Sequence, residues 1–416
     1  MIKDRISCLI IGALPCSLIN FRGPLIKSML AKGVNVYASA NGRDPDTEVK
    51  LRDMGVEYYP IRIARTGMNP LNDIVTIFDL IRLVRRVKPD IVLSYTIKPI
   101  IYGGLASRLC GIQNVFSMIE GLGSVFMPRE CLFQIFPSIL ARLLYRIGLA
   151  VSKRVFFLNP DDLNQFVQER YVPKQRTILL NGIGIDLVYY VKEGFLETLP
   201  IRFLMIARLL KDKGVREYIA AATIVRSRYR NAEFVLAGDL DDNPNSIKKE
   251  ELVSWQREGI INYVGYAEDV RPLFRDCHVY VLPSFYREGT PRTVLEAMST
   301  GRAIITTDMP GCRETVDKPI GASNWKMEEY SNKLKIGRNG IMVIPKDIES
   351  LVSGMEFFLK HPEQIAIMGD EGRRYAEERY DVHKVNAVIL REMGLSSNIT
   401  LNSENKKRSI VRIYIF

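Results

Sequence analysis

The chain has 416 residues, 47% of them hydrophobic, and 58 Lys and Arg against 47 Asp and Glu give a formal net charge of +11. That size supports two or three globular domains with full cores, and the positive balance points to an anionic partner: nucleic acid, anionic lipid or a phosphorylated substrate. Three scattered histidines (His278, His361, His383) argue against a histidine-built metal site, and six cysteines without Cys-x-x-Cys spacing read as reduced thiols of a cytosolic protein.

Met1-Ile-Lys-Asp-Arg5 runs straight into Ile6–Gly12, which reads as a first buried strand and not as the apolar part of a signal peptide. Further strands are expected at 34–39, 91–95, 114–118 and 154–158, with helices at 21–32, 71–87 and 99–110 between them. A second series follows, with strands at 201–206, 233–237, 260–264, 279–282 and 303–306, and helices at 215–230, 291–300, 348–359 and 362–379. Such alternation predicts parallel sheets covered by helices on both faces, an α/β class of two doubly wound units joined near Asp186–Pro200. No apolar run reaches the roughly 18 residues of a spanning helix. The nearest, Cys131–Ala141, is cut by Arg142 and Arg146. The stretch 396–409 is polar and 410–416 is a β-prone tail.

Ligands of doubly wound sheets sit at the carboxyl ends of strands, and four segments of the second series fall there. Ala207-Arg208-Leu-Leu-Lys-Asp-Lys213-Gly214 places two cations and a glycine at a strand–helix junction. A guanidinium fork and an ammonium point charge there suit a diphosphate. Gly238 ends a strand and lets backbone approach a ligand. Glu288-Gly289-Thr290-Pro-Arg-Thr-Val-Leu-Glu296 sets two carboxylates around a helix start, with Thr290 as the expected cap, Pro291 at the first helical position and Gly301 as the stop. Thr306-Thr-Asp308-Met-Pro-Gly311-Cys-Arg-Glu314 closes the series with a turn that keeps acidic groups at a strand end.

In this order the segments resemble the retaining glycosyltransferases of family 4, which have the GT-B fold, and the resemblance runs from about residue 5 to 394. The first half resembles the subgroup that builds bacterial surface polysaccharide or lipid-linked oligosaccharide. It does so through Phe21-Arg22-Gly-Pro-Leu25, Arg65-Thr-Gly-Met-Asn69-Pro70, Tyr95-Thr-Ile-Lys98-Pro-Ile-Ile-Tyr102-Gly103 and Glu120-Gly-Leu-Gly123. The resemblance implies two Rossmann-like domains facing across a cleft: 1–188 on the acceptor side and 189–380 binding the nucleotide sugar. A helix at 381–394 would return to the first domain, and 395–416 would be a mobile tail.

It also implies roles. Arg208 and Lys213 would hold the donor diphosphate, Glu296 the ribose hydroxyls, and Glu288 the donor sugar near the reacting carbon. Gly289 and Thr290 would offer backbone N–H groups, Gly12 would let backbone approach the diphosphate, Gly238 would let backbone approach the donor, and the nucleobase would lie near Tyr263–Gly265. Arg22, Asn69, Lys98, Tyr102 and Glu120 are the acceptor-side candidates. Retention is expected through same-face attack with the leaving phosphate taking the acceptor proton; double displacement through Glu288 is the alternative.

Some positions depart from the family. Relatives carry a histidine near Ser94-Tyr-Thr-Ile-Lys98, and this chain has none; residues 317–339 form a long insertion, either a lid or a tolerated loop. Asp239-Leu-Asp241 spells the metal-binding Asp-x-Asp of single-domain transferases but reads here as a polar loop, so no metal or other cofactor is expected. Residues 127–154 combine apolar side chains with Arg129, Arg142, Arg146, Lys153 and Arg154, suiting either an interfacial helix or an ordinary buried one.

The expected enzyme moves a hexose or N-acetylhexosamine from a nucleotide sugar, UDP favoured, to a polyprenyl-diphosphate-linked saccharide. It would act in the cytoplasm, peripherally on the inner membrane face, with an anionic membrane surface and no nucleic acid as partner. The alternatives are a GT-B sugar-nucleotide 2-epimerase and a non-catalytic scaffold subunit.

Overall fold

The computed structural model describes residues 5–63, 70–122, 132–197, 199–241, 243, 245–317 and 334–396. Its strands are β1 (Ser7–Ile11), β2 (Asn35–Asn41), β3 (Glu57–Ile61), β4 (Ile91–Tyr95), β5 (Asn114–Ile119), β6 (Arg154–Phe157), β7 (Thr177–Leu179), β8 (Ile201–Ile206), β9 (Ala232–Ala237), β10 (Asn262–Gly265), β11 (Val279–Leu282), β12 (Ala303–Thr307), β13 (Leu334–Ile336) and β14 (Gly340–Val343). The helices are α1 (Pro15–Asn20), α2 (Gly23–Ala31), α3 (Pro45–Asp53), α4 (Pro70–Val87), α5 (Gly104–Leu109), α6 (Leu132–Ala150), α7 (Pro160–Gln168), α8 (Val215–Arg228), α9 (Lys249–Arg257), α10 (Arg271–Arg275), α11 (Arg292–Ser299), α12 (Ile348–Lys360), α13 (Glu363–Tyr375) and α14 (Val382–Glu392).

Two seven-stranded sheets result, in the orders β3-β2-β1-β4-β5-β6-β7 and β10-β9-β8-β11-β12-β14-β13. Strands β3, β2, β1, β4 and β5 pair in parallel, as do β10, β9, β8, β11, β12 and β14; β13 is antiparallel at its edge. Strands buried on both faces explain why the central runs are continuously apolar: all of β1, β4, β11 and β12 is buried. The described residues fall into two compact units, one within Met1–Met118, Leu144–Val155 and Asn386–Phe416, the other within Ile119–Leu143 and Phe156–Val385. Leu9, Ile11, Leu80, Leu83, Val84 and Val92 are among the core of the first. Phe203 stacks on Phe234 at 5.3 Å in the core of the second.

Several elements differ from the pattern in the sequence. Strand β3 carries Pro60 and is only partly buried, so it shows no apolar run; proline is tolerated because the strand is at the sheet edge. Helix α7 went unread although Asn159-Pro-Asp-Asp is a strong start signal: Asn159 accepts from Asp162 N, and proline takes the first position. The stretch 99–110 is two elements, because a five-residue π turn at Pro99–Gly103 precedes α5; a second π turn, Ala376–Tyr380, prolongs α13.

Candidate functional site

The carboxyl ends of β8, β9, β10 and β11 collect most of the candidate residues of the second unit. Arg208 follows β8, and its Nη1 lies 3.0 Å from Asp241 Oδ2. A short 3₁₀ turn, Lys211–Lys213, comes next and is closed by Gly214 in the left-handed region at φ +80°. A side chain at Gly214 would put Cβ 2.1 Å from Pro283 O, so glycine lets this turn press against the β11 loop. The N–H groups of Phe285 and Tyr286 both donate to Asp212 O at 3.0 Å. Those two bonds bring Lys213 onto Glu288: Nζ pairs with Oε1, and Ser284 Oγ donates to the same oxygen at 3.0 Å. Lys213 also lies 5.3 Å from the Tyr286 ring centroid.

Glu296 is held differently. It sits in α11, buried, and its Oε1 accepts from Tyr190 Oη at 2.7 Å and from Arg292 Nε at 2.8 Å. Burial raises its carboxyl pKa, opposed by Arg292 and by the Tyr190 hydrogen bond. Burial, and then the Glu296 charge, raises the Tyr190 phenol. Helix α11 starts later than its sequence suggests. Pro291 is the cap and the helix begins at Arg292, because Thr290 Oγ1 donates to Leu158 O and Gly289 O at 3.1 and 2.9 Å instead of capping. The stop is as expected: Gly301 (φ +76°) and Arg302 return N–H bonds to Met298 O and Ala297 O, closing the last turn.

Gly238 and Gly265 line the ends of β9 and β10. Gly238 has φ +142°, and a Cβ there would lie 1.8 Å from Ala207 O; its N–H donates to Gly265 O at 2.9 Å, and Tyr263 Oη donates to its carbonyl at 2.9 Å. In the Asp-x-Asp stretch, Asp239 Oδ1 accepts from Leu240 N and Asp241 pairs with Arg208. Asp308 pairs with Arg313 at 2.8 Å and with Lys335, while Glu314 accepts from Gly311 N at 2.8 Å.

The first unit holds a separate group. Arg22 is buried with its guanidinium 4.7 Å from the Tyr95 ring centroid, and Tyr95 Oη lies 2.7 Å from Ser17 Oγ. Gly12 packs against that phenol so closely that a Cβ would fall 2.3 Å from Oη. Lys98 Nζ pairs with Asp73 Oδ1 at 2.8 Å, and Tyr102, whose phenol is pushed up first by burial, hydrogen-bonds the same carboxylate. Thr96 takes φ +67° between them, a rare conformation for a β-branched residue.

Lys98 and Tyr102 therefore share a carboxylate, Asp73, that the sequence did not single out. Asn69 lies outside the described residues, as do 123–131 and 318–333, which hold parts of the 127–154 and 317–339 segments, and the tail 397–416. Glu120 belongs to the second unit, where its backbone packs on Gly289: a Cβ at Gly289 would sit 2.6 Å from Glu120 O. Tyr190, Arg292 and Asn159 also went unread. Arg292 is an i, i+4 partner of Glu296 and was legible by helical spacing, whereas Tyr190 is brought in from a loop 106 residues away.

Known proteins match both halves. The sequence family described as Glycosyl transferases group 1 matches residues 200–361, and that described as Glycosyl transferase 4-like matches residues 19–157. The N,N'-diacetylbacillosaminyl-diphospho-undecaprenol alpha-1,3-N-acetylgalactosaminyltransferase of Campylobacter jejuni is 31% identical over 339 residues, 77% of this chain and 86% of that protein. The UDP-Gal:alpha-D-GlcNAc-diphosphoundecaprenol alpha-1,3-galactosyltransferase of Escherichia coli is 24% identical over 252 residues, 58% of this chain and 63% of that protein. Among solved structures, HepE of Anabaena in complex with UDP superposes with a TM-score of 0.70 at 15% identity, covering 94% of this chain and 100% of that one.

Proposed function

Because the chain belongs to the group 1 glycosyl transferases and has their GT-B fold, it is a glycosyltransferase, and we propose that its donor is a UDP-linked hexose or N-acetylhexosamine and its acceptor a polyprenyl-diphosphate-linked saccharide, with retention at the anomeric carbon. The acceptor class is supported by the Campylobacter and Escherichia relatives, both transferases onto diphospho-undecaprenol-linked sugars. The observation that carries the residue assignment is the Lys213–Glu288 pair with Ser284, set at strand carboxyl ends, with Arg208 following β8 and paired with Asp241.

In the proposed step the bond from donor C1 to the UDP oxygen breaks as an acceptor hydroxyl oxygen bonds C1 on the same face. The acceptor proton passes to the departing phosphate oxygen. Arg208 and Lys213 neutralise charge growing on that phosphate, so the step needs no divalent metal. Each cation then exchanges a carboxylate partner, Asp241 or Glu288, for the donor diphosphate. Glu288, released from Lys213, takes hydroxyls of the donor sugar, and Glu296 takes the ribose.

We further propose that the protein works at an anionic membrane surface. Among the described residues no helix is long and apolar enough to cross a membrane. Helix α4 instead exposes Leu71, Ile74 and Phe78 on one face, followed by exposed Arg82, Arg85 and Arg86, and α6 exposes Ile139, Leu143 and Ile147. Apolar stripes joined to cations suit a bilayer interface, each cation near the surface adding about 1 kcal/mol.

The test is incubation with a panel of labelled UDP- and GDP-sugars and a synthetic polyprenyl-diphosphate-linked saccharide, with and without EDTA. Transfer from one UDP-sugar, unaffected by EDTA, is expected. Loss on chelation would overturn the metal-free step, and no transfer from any donor would favour a scaffold.

A further inference from the structure

We infer that Asn159 is a positioning residue for the donor loop, its side-chain amide setting the peptide planes that aim the Gly289 and Thr290 N–H groups at the donor. The inference rests on the glycosyltransferase reading above.

Asn159 is fully buried and does two jobs with its two polar atoms. Its Oδ1 accepts from Asp162 N at 2.8 Å, which caps α7. Its Nδ2 donates to Glu288 O at 3.1 Å, to Gly289 O at 3.0 Å and to Asp162 Oδ2 at 3.0 Å. A cap needs only the first of these atoms. The second reaches 129 and 130 residues along the chain to two successive carbonyls of the loop that carries Glu288.

A peptide group is planar and trans, so fixing a carbonyl fixes the N–H that follows it, pointing the opposite way. Holding Glu288 O and Gly289 O on one side directs the Gly289 and Thr290 N–H groups to the other. Gly121 packs closely against this loop: a Cβ there, at φ +111°, would sit 2.6 Å from Gly289 N and 2.7 Å from Arg287 O. The opposite flank is equally tight, since a Cβ at Gly311 would lie 2.5 Å from Glu288 O and 2.6 Å from Gly289 O.

The same end of α7 also holds the preceding residue. Asp162, buried, pairs with Arg287 at 2.8 Å, and Arg287 Nη1 donates to Gln165 Oε1 at 2.6 Å. Arg287, Glu288 and Gly289 are thus held in succession by residues 159–165. Burying a carboxylate and an amide against a partly buried guanidinium makes sense if the loop they hold must not drift, because a misplacement of about 1 Å at a reacting centre costs about 10²-fold in rate.

Two variants separate clamp from cap. Asn159→Ser keeps a capping oxygen but is too short to reach the two carbonyls. Asn159→Asp keeps size and cap but loses the donor hydrogens, which protonation restores in part. With each variant's fold checked by circular dichroism, the serine variant is expected to lose about 10²-fold in kcat with the donor KM within about threefold of wild type. The aspartate variant is expected to be similarly impaired at pH 8 and to close its deficit relative to wild type measured at the same pH as pH falls, since a buried carboxyl protonates readily.

Either folded variant working at the wild-type rate at pH 8 would overturn the clamp while leaving the glycosyltransferase reading intact. A wild type that transfers from no donor removes both. If the serine variant fails to fold, the aspartate variant's pH dependence decides, and a loss that stays constant with pH contradicts the assignment.

Discussion

Glu288 and Glu296 stand eight residues apart in one strand-to-helix connection and are held in contrasting ways. Glu288 lies in a loop against Lys213 and Ser284, so in the proposed step its cation partner is free to be exchanged for a phosphate. Glu296 lies inside α11, more deeply buried, with one oxygen fixed by both Tyr190 and Arg292. A carboxylate fixed on one oxygen keeps the other for a constant task such as holding a ribose. A carboxylate paired to a displaceable ammonium suits a contact that forms as the donor arrives. The contrast teaches that the spacing of two acids does not define a catalytic pair; their partners divide the labour.

That division predicts separable kinetics. Replacing Glu288 by Gln should cost most, lowering kcat by about 10²–10³-fold with little change in donor KM. A fall in KM's favour, or an unchanged kcat, would break the comparison at its first member. Replacing Glu296 by Gln should instead raise the donor KM by about tenfold to a hundredfold, the worth of a buried charged hydrogen bond, leaving kcat nearly intact. Steady-state kinetics on both variants decide this.

Acid should act on the loop of Glu288 through Asp162, which is paired with Arg287. Burial raises the Asp162 carboxyl to about 6, opposed by Asn159 and Arg287, while neighbouring Asp161 adds to the rise and is itself paired with Arg313. The folded pKa lies above the ordinary 3.8, so this group's stabilisation is full below about 3.8 and lost as pH rises through about 6. Acidification therefore does not unfold the protein through Asp162, yet it neutralises the partner of Arg287. The rate is expected to fall up to about tenfold per unit below pH 6 with no drop in Tm arising from this group, and Asp162→Asn should remove that limb. The smallest effect belongs to Tyr190→Phe, which frees Glu296 of one hydrogen bond worth about 1–2 kcal/mol and should raise donor KM several-fold. Equal effects on kcat and KM there would blur the distinction.

Legibility in the sequence followed contact range. Buried central strands such as β1, β4 and β11 are continuous apolar runs, so the two doubly wound sheets and the positions of Arg208, Lys213, Gly238 and Glu288 could be read directly. Two edge strands could not: β3 is half exposed and carries a proline, and β13 falls within the 317–339 insertion, whereas β10, also at an edge, was expected at 260–264. The start of α11 was misjudged because Thr290 spends its hydroxyl on Leu158 O, a partner 132 residues away. Tyr190, Asp73 and the clamping function of Asn159 were hidden for the same reason, since each acts through partners remote in the chain. Local signals picked out the candidate residues, and long-range hydrogen bonds position them.

The most direct test of retaining transfer is the anomeric configuration of the product made from a UDP-α-sugar and the polyprenyl-diphosphate-linked saccharide, read by NMR from the new glycosidic linkage. An α-linked product is predicted. A β-linked product would contradict same-face attack and the roles given to Lys213 and Glu288.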